Sequence, residues 1–377
     1  MYIHRKLEEK ITQRLLHFDD IIILYGARQV GKTTLINKVL QKLNKKFLRI
    51  NAEESIYNSV FSQRNLQAMK ELTQGYEILF IDEAQVIENI GINIKILHDA
   101  VPELKIILSG SSSFELANKI QEPLTGRTKT YLLYPIAVCE LNQIYNRFEL
   151  KQLLPDLLIY GAYPKIFNLP VRQDKISHLL ELSSAYLYKD IFQLAHIKYS
   201  HIIRDLLKLL AFQVGSPVSI HELAITLKIS SETVERYIDL LEKSFVVFRL
   251  SAFSRNLRKE IKKKDKIYFY DVGIRNAIIN NFSNIDYRND IGQLWENFII
   301  VERLKKNVYN EMHKNIYYWR TFTGAELDFV EEYDGKLTGF EIKWGKKIPK
   351  PPKTWLQTYT NARFEYINRG NFLDFIL

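Results

Sequence analysis

An α/β fold is predicted from three observations. Short apolar runs of strand type alternate with helical stretches, a glycine loop lies between one such run and a helix, and another run ends in two carboxylates. The expected strands are 20–25, 46–51, 77–82, 104–109 and 129–134, with helices between them. Such alternation implies a parallel sheet covered by helices on both faces.

The loop is Gly26-Ala27-Arg28-Gln29-Val30-Gly31-Lys32-Thr33, followed by Thr34. Ile21 to Tyr25 supply the strand before it, and Leu35, Ile36, Val39, Leu40 and Leu43 mark a helix from Thr33 to about Leu43. Gly26 and Gly31 let the backbone turn so that its N–H groups face inward. The helix start adds a partial positive charge, which suits phosphate. Gly-x-x-x-x-Gly-Lys-Thr in this setting predicts a P-loop NTPase sheet, with Lys32 on the β- and γ-phosphates of ATP and Thr33 on Mg²⁺.

Ile78-Leu79-Phe80-Ile81-Asp82-Glu83 is a buried strand with two acids at its C-terminal end. Asp82 is expected beside the loop, supporting Mg²⁺, and Glu83 is expected to orient the attacking water. The next strand runs into Ser109-Gly110-Ser111-Ser112-Ser113, where Ser109 or Ser111 would touch the γ-phosphate; a plain serine turn is the alternative. Arg127, before the fifth strand, is a candidate arginine finger in its own chain or a neighbour's, or a surface arginine.

A length of 377 residues favours two or three domains, and a hydrophobic content of 46% argues against global disorder. No apolar run is long enough for a membrane span, and Met-Tyr-Ile-His-Arg-Lys is unlike a signal peptide. The single cysteine, Cys139, excludes an intrachain disulfide and a cysteine metal site; a reducing cytoplasm fits. The net charge of +10 is uneven: residues 1–150 carry 19 Lys and Arg against 17 Asp and Glu, the remainder 34 against 26. A basic C-terminal part suggests a polyanionic partner such as DNA.

Four segments are expected: 1–140, the ATPase sheet; 141–200, a helical lid or bridge; 201–275, a winged helix; and 276–377, an α/β domain. Residues 201–275 give helix, turn, helix, strand, basic loop and strand. Ser219 and Glu222 form a capping-box pattern, and Ser231 is placed to cap the second helix. The basic loop carries Arg255, Arg258, Lys259, Lys262, Lys263, Lys264 and Lys266 against Glu260 and Asp265, suited to phosphates. The second helix is acid-rich, so a protein-interaction role stays open beside DNA binding.

Near the C-terminus, Asp334-Gly335 between two alternating runs marks a hairpin. With a two-residue turn there, Asp328 stands opposite Glu341. Glu326, Asp328, Glu341 and Lys343 then share one face, and Leu327, Phe329, Phe340 and Ile342 the other. Two carboxylates about 5 Å apart repel unless a cation lies between them. That predicts a second Mg²⁺ or Mn²⁺ site of oxygen ligands, with Glu296 as a third ligand and Lys343 as a catalytic cation; a charge cluster neutralised by Lys343 is the alternative.

The ordered set Gly26–Thr34, Phe80–Gln85, Ser109–Ser112, Leu124–Arg127, Tyr160–Pro164, Lys266–Gly273 and Trp295–Phe298 resembles the prokaryotic AAA-type P-loop ATPases that carry a C-terminal domain of unknown function. The resemblance covers nearly the whole chain. It implies a winged helix and a restriction-endonuclease-like fold at the C-terminus. It also implies the nuclease pattern Asp, then Glu-x-Lys, matched by Asp328, Glu341 and Lys343, with Glu296 on the preceding helix. Two functions are expected: an ATP-driven DNA-processing enzyme, or an ATP-dependent switch that binds a protein partner and keeps the nuclease-like fold as a scaffold. The resemblance leaves room for a homo-oligomer, since AAA-type ATPases often need a neighbour's arginine.

Overall fold

Ile21–Tyr25 (β1) is five buried residues with no polar side chain able to face water, so it needs a neighbour on each edge and a layer on each face. The computed structural model supplies both, and describes residues 1–111, 124–186, 200–255, 264–345 and 348–377. β1 lies between β4 (Lys105–Gly110) and β5 (Thr128–Leu132). Beyond β4 come β3 (Ile78–Asp82) and β2 (Phe47–Asn51), in the order β2-β3-β4-β1-β5. Every pairing is parallel, so all five strands end at one edge, where the glycine loop leaves Tyr25. Helices Lys6–His17, Lys32–Leu43, Ser55–Ser62, Leu66–Thr73 and Ile90–Ala100 belong to this layer. Each observed strand lies within two residues of its predicted bounds, because period and turn chemistry agree throughout this sheet.

The chain divides at residues 135/136 into two compact units: Tyr2–Pro135, and Ile136–Glu242 with Val246–Leu377. The second unit takes in residues of all three later expected segments.

In that second unit, helix Val272–Ile278 packs on helices Arg147–Tyr160 and Arg172–Glu181. Gly161, at φ 68°, ends the first of these, and the Asp271 carboxylate accepts from the Ala162 amide (2.7 Å) and the Ile274 amide (3.0 Å). Helices Ser200–Phe212, Ile220–Leu227 and Ser231–Lys243 precede an antiparallel pair, β6 (Val247–Leu250) and β7 (Lys266–Phe269). Ser219 occupies the N-cap position but makes no side-chain cap bond, so the expected capping box does not form. The third helix is capped by Ser230, whose Oγ accepts from the Thr233 amide at 3.1 Å, and not by Ser231. Residues 256–263 of the basic loop, with Arg258, Lys259, Glu260, Lys262 and Lys263, lie outside the described residues, as do Ser112, Ser113 and residues 187–199 of the expected lid.

The C-terminal sheet has the order β11-β10-β9-β8, from Asn315–Arg320 (β8), Glu326–Tyr333 (β9), Lys336–Ile342 (β10) and Ala362–Ile367 (β11). Asp334 and Gly335 both have positive φ, 51° and 70°, as a two-residue hairpin turn requires. The register is the expected one from Tyr333↔Lys336 to Phe329↔Phe340. One face assignment fails. Leu327 packs with Trp319, Val330 and Trp355, while Phe329 meets Phe340 and Phe375. The β8–β9 register shifts across Tyr317 and Trp319, opposite this stretch, and a bulge of this kind breaks strict alternation. A closing helix, Phe372–Ile376, is too short to have signalled itself in the sequence.

Candidate functional site

At the C-terminal edge of the parallel sheet, Gly26 has φ 153° and Gly31 φ 97°. A Cβ on Gly26 would collide with the Leu133 carbonyl oxygen, so the close approach of loop to β5 requires glycine. Helix Lys32–Leu43 starts from Gly31 with no side-chain cap, which leaves first-turn N–H groups for a ligand. Arg5 braces the loop from beneath: its guanidinium donates to the Val30 carbonyl (2.8 Å) and the Tyr134 carbonyl (2.5 Å).

Lys32 is buried and its ammonium donates to the carbonyls of Gly26 (2.8 Å) and Ala27 (3.1 Å). Those contacts hold the charge over the loop, where phosphate oxygens are stronger acceptors. Thr33 Oγ1 donates to Asp82 Oδ2 at 2.6 Å. Ser109 Oγ donates to the other oxygen of the same carboxylate, and Arg49 lies 3.7 Å from it. The paired hydroxyl and carboxylate are hard oxygen donors of the kind that suit Mg²⁺. Glu83 follows at φ 52°, its carboxylate accepting from Gln85 Nε2 at 2.6 Å; the same nitrogen is 3.3 Å from Ser111 Oγ. Lys32, Thr33, Asp82, Glu83 and Ser111 therefore converge.

Arg127 does not join them. Its carbonyl accepts from the Ile21 amide, at the start of β1, while the loop leaves the end of β1. Five residues of strand separate the two levels, roughly 17 Å at about 3.3 Å per residue. Its guanidinium pairs with Asp99 at 3.0 Å. A finger role within its own chain is corrected by this placement: β5 runs parallel to β1, so a residue preceding it falls at the opposite end from the phosphates.

The second unit gathers the other expected residues. Asp328, Glu341 and Lys343 meet at the end of the hairpin, where Lys343 Nζ lies 3.3 Å from Asp328 and 2.7 Å from Glu341. Asp328 Oδ2 also accepts from the Ile342 amide at 2.8 Å, so a side chain replaces the backbone partner one step beyond the ladder. Glu296, on helix Ile291–Tyr309, accepts from the Tyr268 hydroxyl at 2.5 Å. Burial, reinforced by the Asp328 charge and opposed by Lys266, pushes the Glu296 carboxyl up to about 7. Burial also raises Glu341, with Asp328 adding to the shift and Lys343 opposing it.

Lys266 was expected on the exposed basic loop. It is instead buried, 2.6 Å from Glu326 and 3.4 Å from Glu296. Four carboxylates thus share two ammonium groups. Among the described residues no three His, Cys, Asp or Glu side chains are grouped to hold a metal. Lysines lie among Glu296, Asp328 and Glu341, the set expected to hold a metal: Lys343 beside Asp328 and Glu341, and Lys266 beside Glu296. Sequence reasoning missed the inward turn of Lys266. The sole signal was its place at the start of an apolar strand, where a side chain can alternate inward.

Comparison with known proteins follows the same division. The AAA domain family matches residues 19–142. Residues 151–285 and 291–366 match two domains of unknown function, DUF8612 and DUF4143. An uncharacterized protein of Mycobacterium tuberculosis is 28% identical over 346 residues, spanning 91% of this chain and 74% of the relative. An uncharacterized protein of Methanocaldococcus jannaschii is 25% identical over 387 residues, spanning 91% and 80%. A Walker-type ATPase of Pyrococcus abyssi has a similar fold, with a TM-score of 0.52, 17% identity, and coverage of 74% of this chain and 96% of that one. The sheet order, the loop and the family match define an AAA-type P-loop ATPase domain in the first unit. The chain carries it together with a C-terminal DUF4143 region. No helix among the described residues is long and apolar enough to cross a membrane.

Proposed function

We propose that the chain binds and hydrolyses ATP with Mg²⁺ at the phosphate loop, and that the cycle acts as a switch on a partner held by residues 136–377. The observation that carries the ATPase reading is the 2.6 Å contact of Thr33 with Asp82 beside the buried Lys32 ammonium. Loop amides from Ala27 to Thr33 would cradle the phosphates, with Arg28, Gln29, Val30 and Thr34 within the same stretch. Lys32 would neutralise charge on the β- and γ-oxygens. Thr33 and Asp82 would hold Mg²⁺, which supplies charge neutralisation at the transferred phosphoryl group. Glu83 would orient the water and Ser111 would touch the γ-phosphate. Arg127 can act on ATP only from a neighbouring copy, so its role belongs to an oligomer.

Lys32→Ala should abolish nucleotide binding. Glu83→Gln should keep binding and lose at least about 100-fold in turnover, the usual range for a lost general base. Equal steady-state ATPase rates in all three proteins would reject the assignment.

For the second unit, the neutralised acid cluster favours the switch reading, with the nuclease-like fold as a scaffold and a protein as partner. The acidic helix Ser231–Lys243 supports the same reading: Glu235, Asp239 and Glu242 surround Arg249, at 3.2, 2.7 and 2.8 Å. Three helices followed by a two-stranded ribbon have a winged-helix outline, and the basic excess beyond residue 150 suits DNA, so cleavage is the second reading. Incubation with linear, circular and branched DNA in Mg²⁺ or Mn²⁺ separates them. The switch reading expects no cleavage, and cutting that Asp328→Ala eliminates would overturn it.

A further inference from the structure

The end of β4 reaches both acids of the ATPase site. Ser109 Oγ bonds Asp82 directly. Ser111, buried two residues on, reaches Glu83 through Gln85, whose Nε2 lies 2.6 Å from Glu83 Oε2 and 3.3 Å from Ser111 Oγ. A side-chain amide carries two hydrogens on one nitrogen, so it can serve both acceptors at once.

We infer that Gln85 is a positioning residue that aims the Glu83 carboxylate at the water and ties it to Ser111. The inference rests on the ATPase reading above. Glu83 stands in left-handed backbone at φ 52°, at the start of the short helical turn Ala84–Val86. That turn swings Gln85 back beneath the strand ends, where it is buried. A carboxylate that accepts a charge-assisted hydrogen bond from a buried, fixed donor loses rotamer freedom and keeps one direction. Ser111, accepting from Gln85, retains its own O–H for a phosphate oxygen. Loss of the γ-phosphate would thereby be felt at Glu83 through a chain of two hydrogen bonds. Nothing in this arrangement requires Gln85 to touch nucleotide.

The test is a kinetic double-mutant cycle on the full chain. Gln85→Ala should lower kcat 10- to 100-fold while the dissociation constant for magnesium-ATP stays within 3-fold. In a Glu83→Gln background the same change should lower the residual rate less than 3-fold, because there is no carboxylate left to aim. Gln85→Met keeps the volume and removes the donor, and should reproduce the alanine result if Gln85→Ala folds poorly. Wild-type kcat in both variants, or an equal loss in both backgrounds, overturns the inference. A loss of binding that parallels the loss of kcat also overturns it. Equal turnover by wild type and Glu83→Gln would instead sink the ATPase reading, and that comparison does not involve Gln85.

Discussion

Asp82 is held from three sides, by Thr33, Ser109 and Arg49, and only the Thr33 contact lies in the phosphate loop. The acid is therefore oriented before any ligand arrives, which favours a metal bound between loop and strand. Asp82→Asn should keep the hydroxyl contacts and remove the charge. It should raise the Mg²⁺ concentration for half-maximal ATPase activity at least about tenfold, on the scale of a lost charged partner. An unchanged magnesium titration would exclude Asp82 from the metal site. At this scale most of the ATP site was legible, since Lys32, Thr33, Asp82 and Glu83 lie in motifs whose spacing carries their chemistry. Gln85 lies within such a motif, but spacing does not show its contact with Ser111, 26 residues away. Arg5 gave no signal for the same reason: it reaches Tyr134, 129 residues on.

Strands and turns show how far local pattern extends. The Asp334-Gly335 turn set the hairpin register, because a two-residue turn allows one pairing. The bulge near Asp328 was not visible, since it depends on how β8 meets β9. Gly26→Ala should abolish nucleotide binding and lower the melting temperature, because the new methyl would have to displace the Leu133 carbonyl. Wild-type affinity in that variant would refute the close approach of loop and β5. Within β9, Glu331 is buried and paired with Arg303 (2.6 Å) and Lys314 (2.8 Å). Despite the opposing effect of burial, these cations and the Asn307 amide bring its carboxyl down to about 2 from 4.5. A folded value below the unfolded one adds stability above pH 4.5, and that share is lost as pH falls from 4.5 through 2. The difference corresponds to roughly 3 kcal/mol at about 1.4 kcal/mol per pH unit. Glu331→Gln should flatten the acid limb of the stability–pH curve in that window; an unaltered limb would contradict the pairing.

For the whole molecule, ligand linkage gives the most direct measurement. Saturating magnesium-ATP should raise the melting temperature, by about 2.7 kcal/mol of added stability at 100 times the dissociation constant. Hydrogen exchange should slow at residues 26–34 and 82–83, and Lys32→Ala should cancel both effects. No protection at the loop in wild-type protein would refute the site. The two compact units divide near residue 136, where strand–helix alternation gives way to a helical pattern. That the second unit takes in residues of all three later segments was not visible, since Asp271 and Lys266 join segments far apart in the chain.

By itself, the sequence determined the parallel sheet, the phosphate loop, the acids that face it and the register of the C-terminal hairpin. Each depends on residues within a few positions of one another, whose period and backbone preferences act locally. Tertiary structure alone decided that Arg127 stands at the wrong end of the sheet for its own loop. It alone decided that Lys266 turns inward among the carboxylates expected to bind metal. The physical reason is that a charge takes its character from whatever packs around it. Packing joins strands and helices that sequence spacing leaves unrelated.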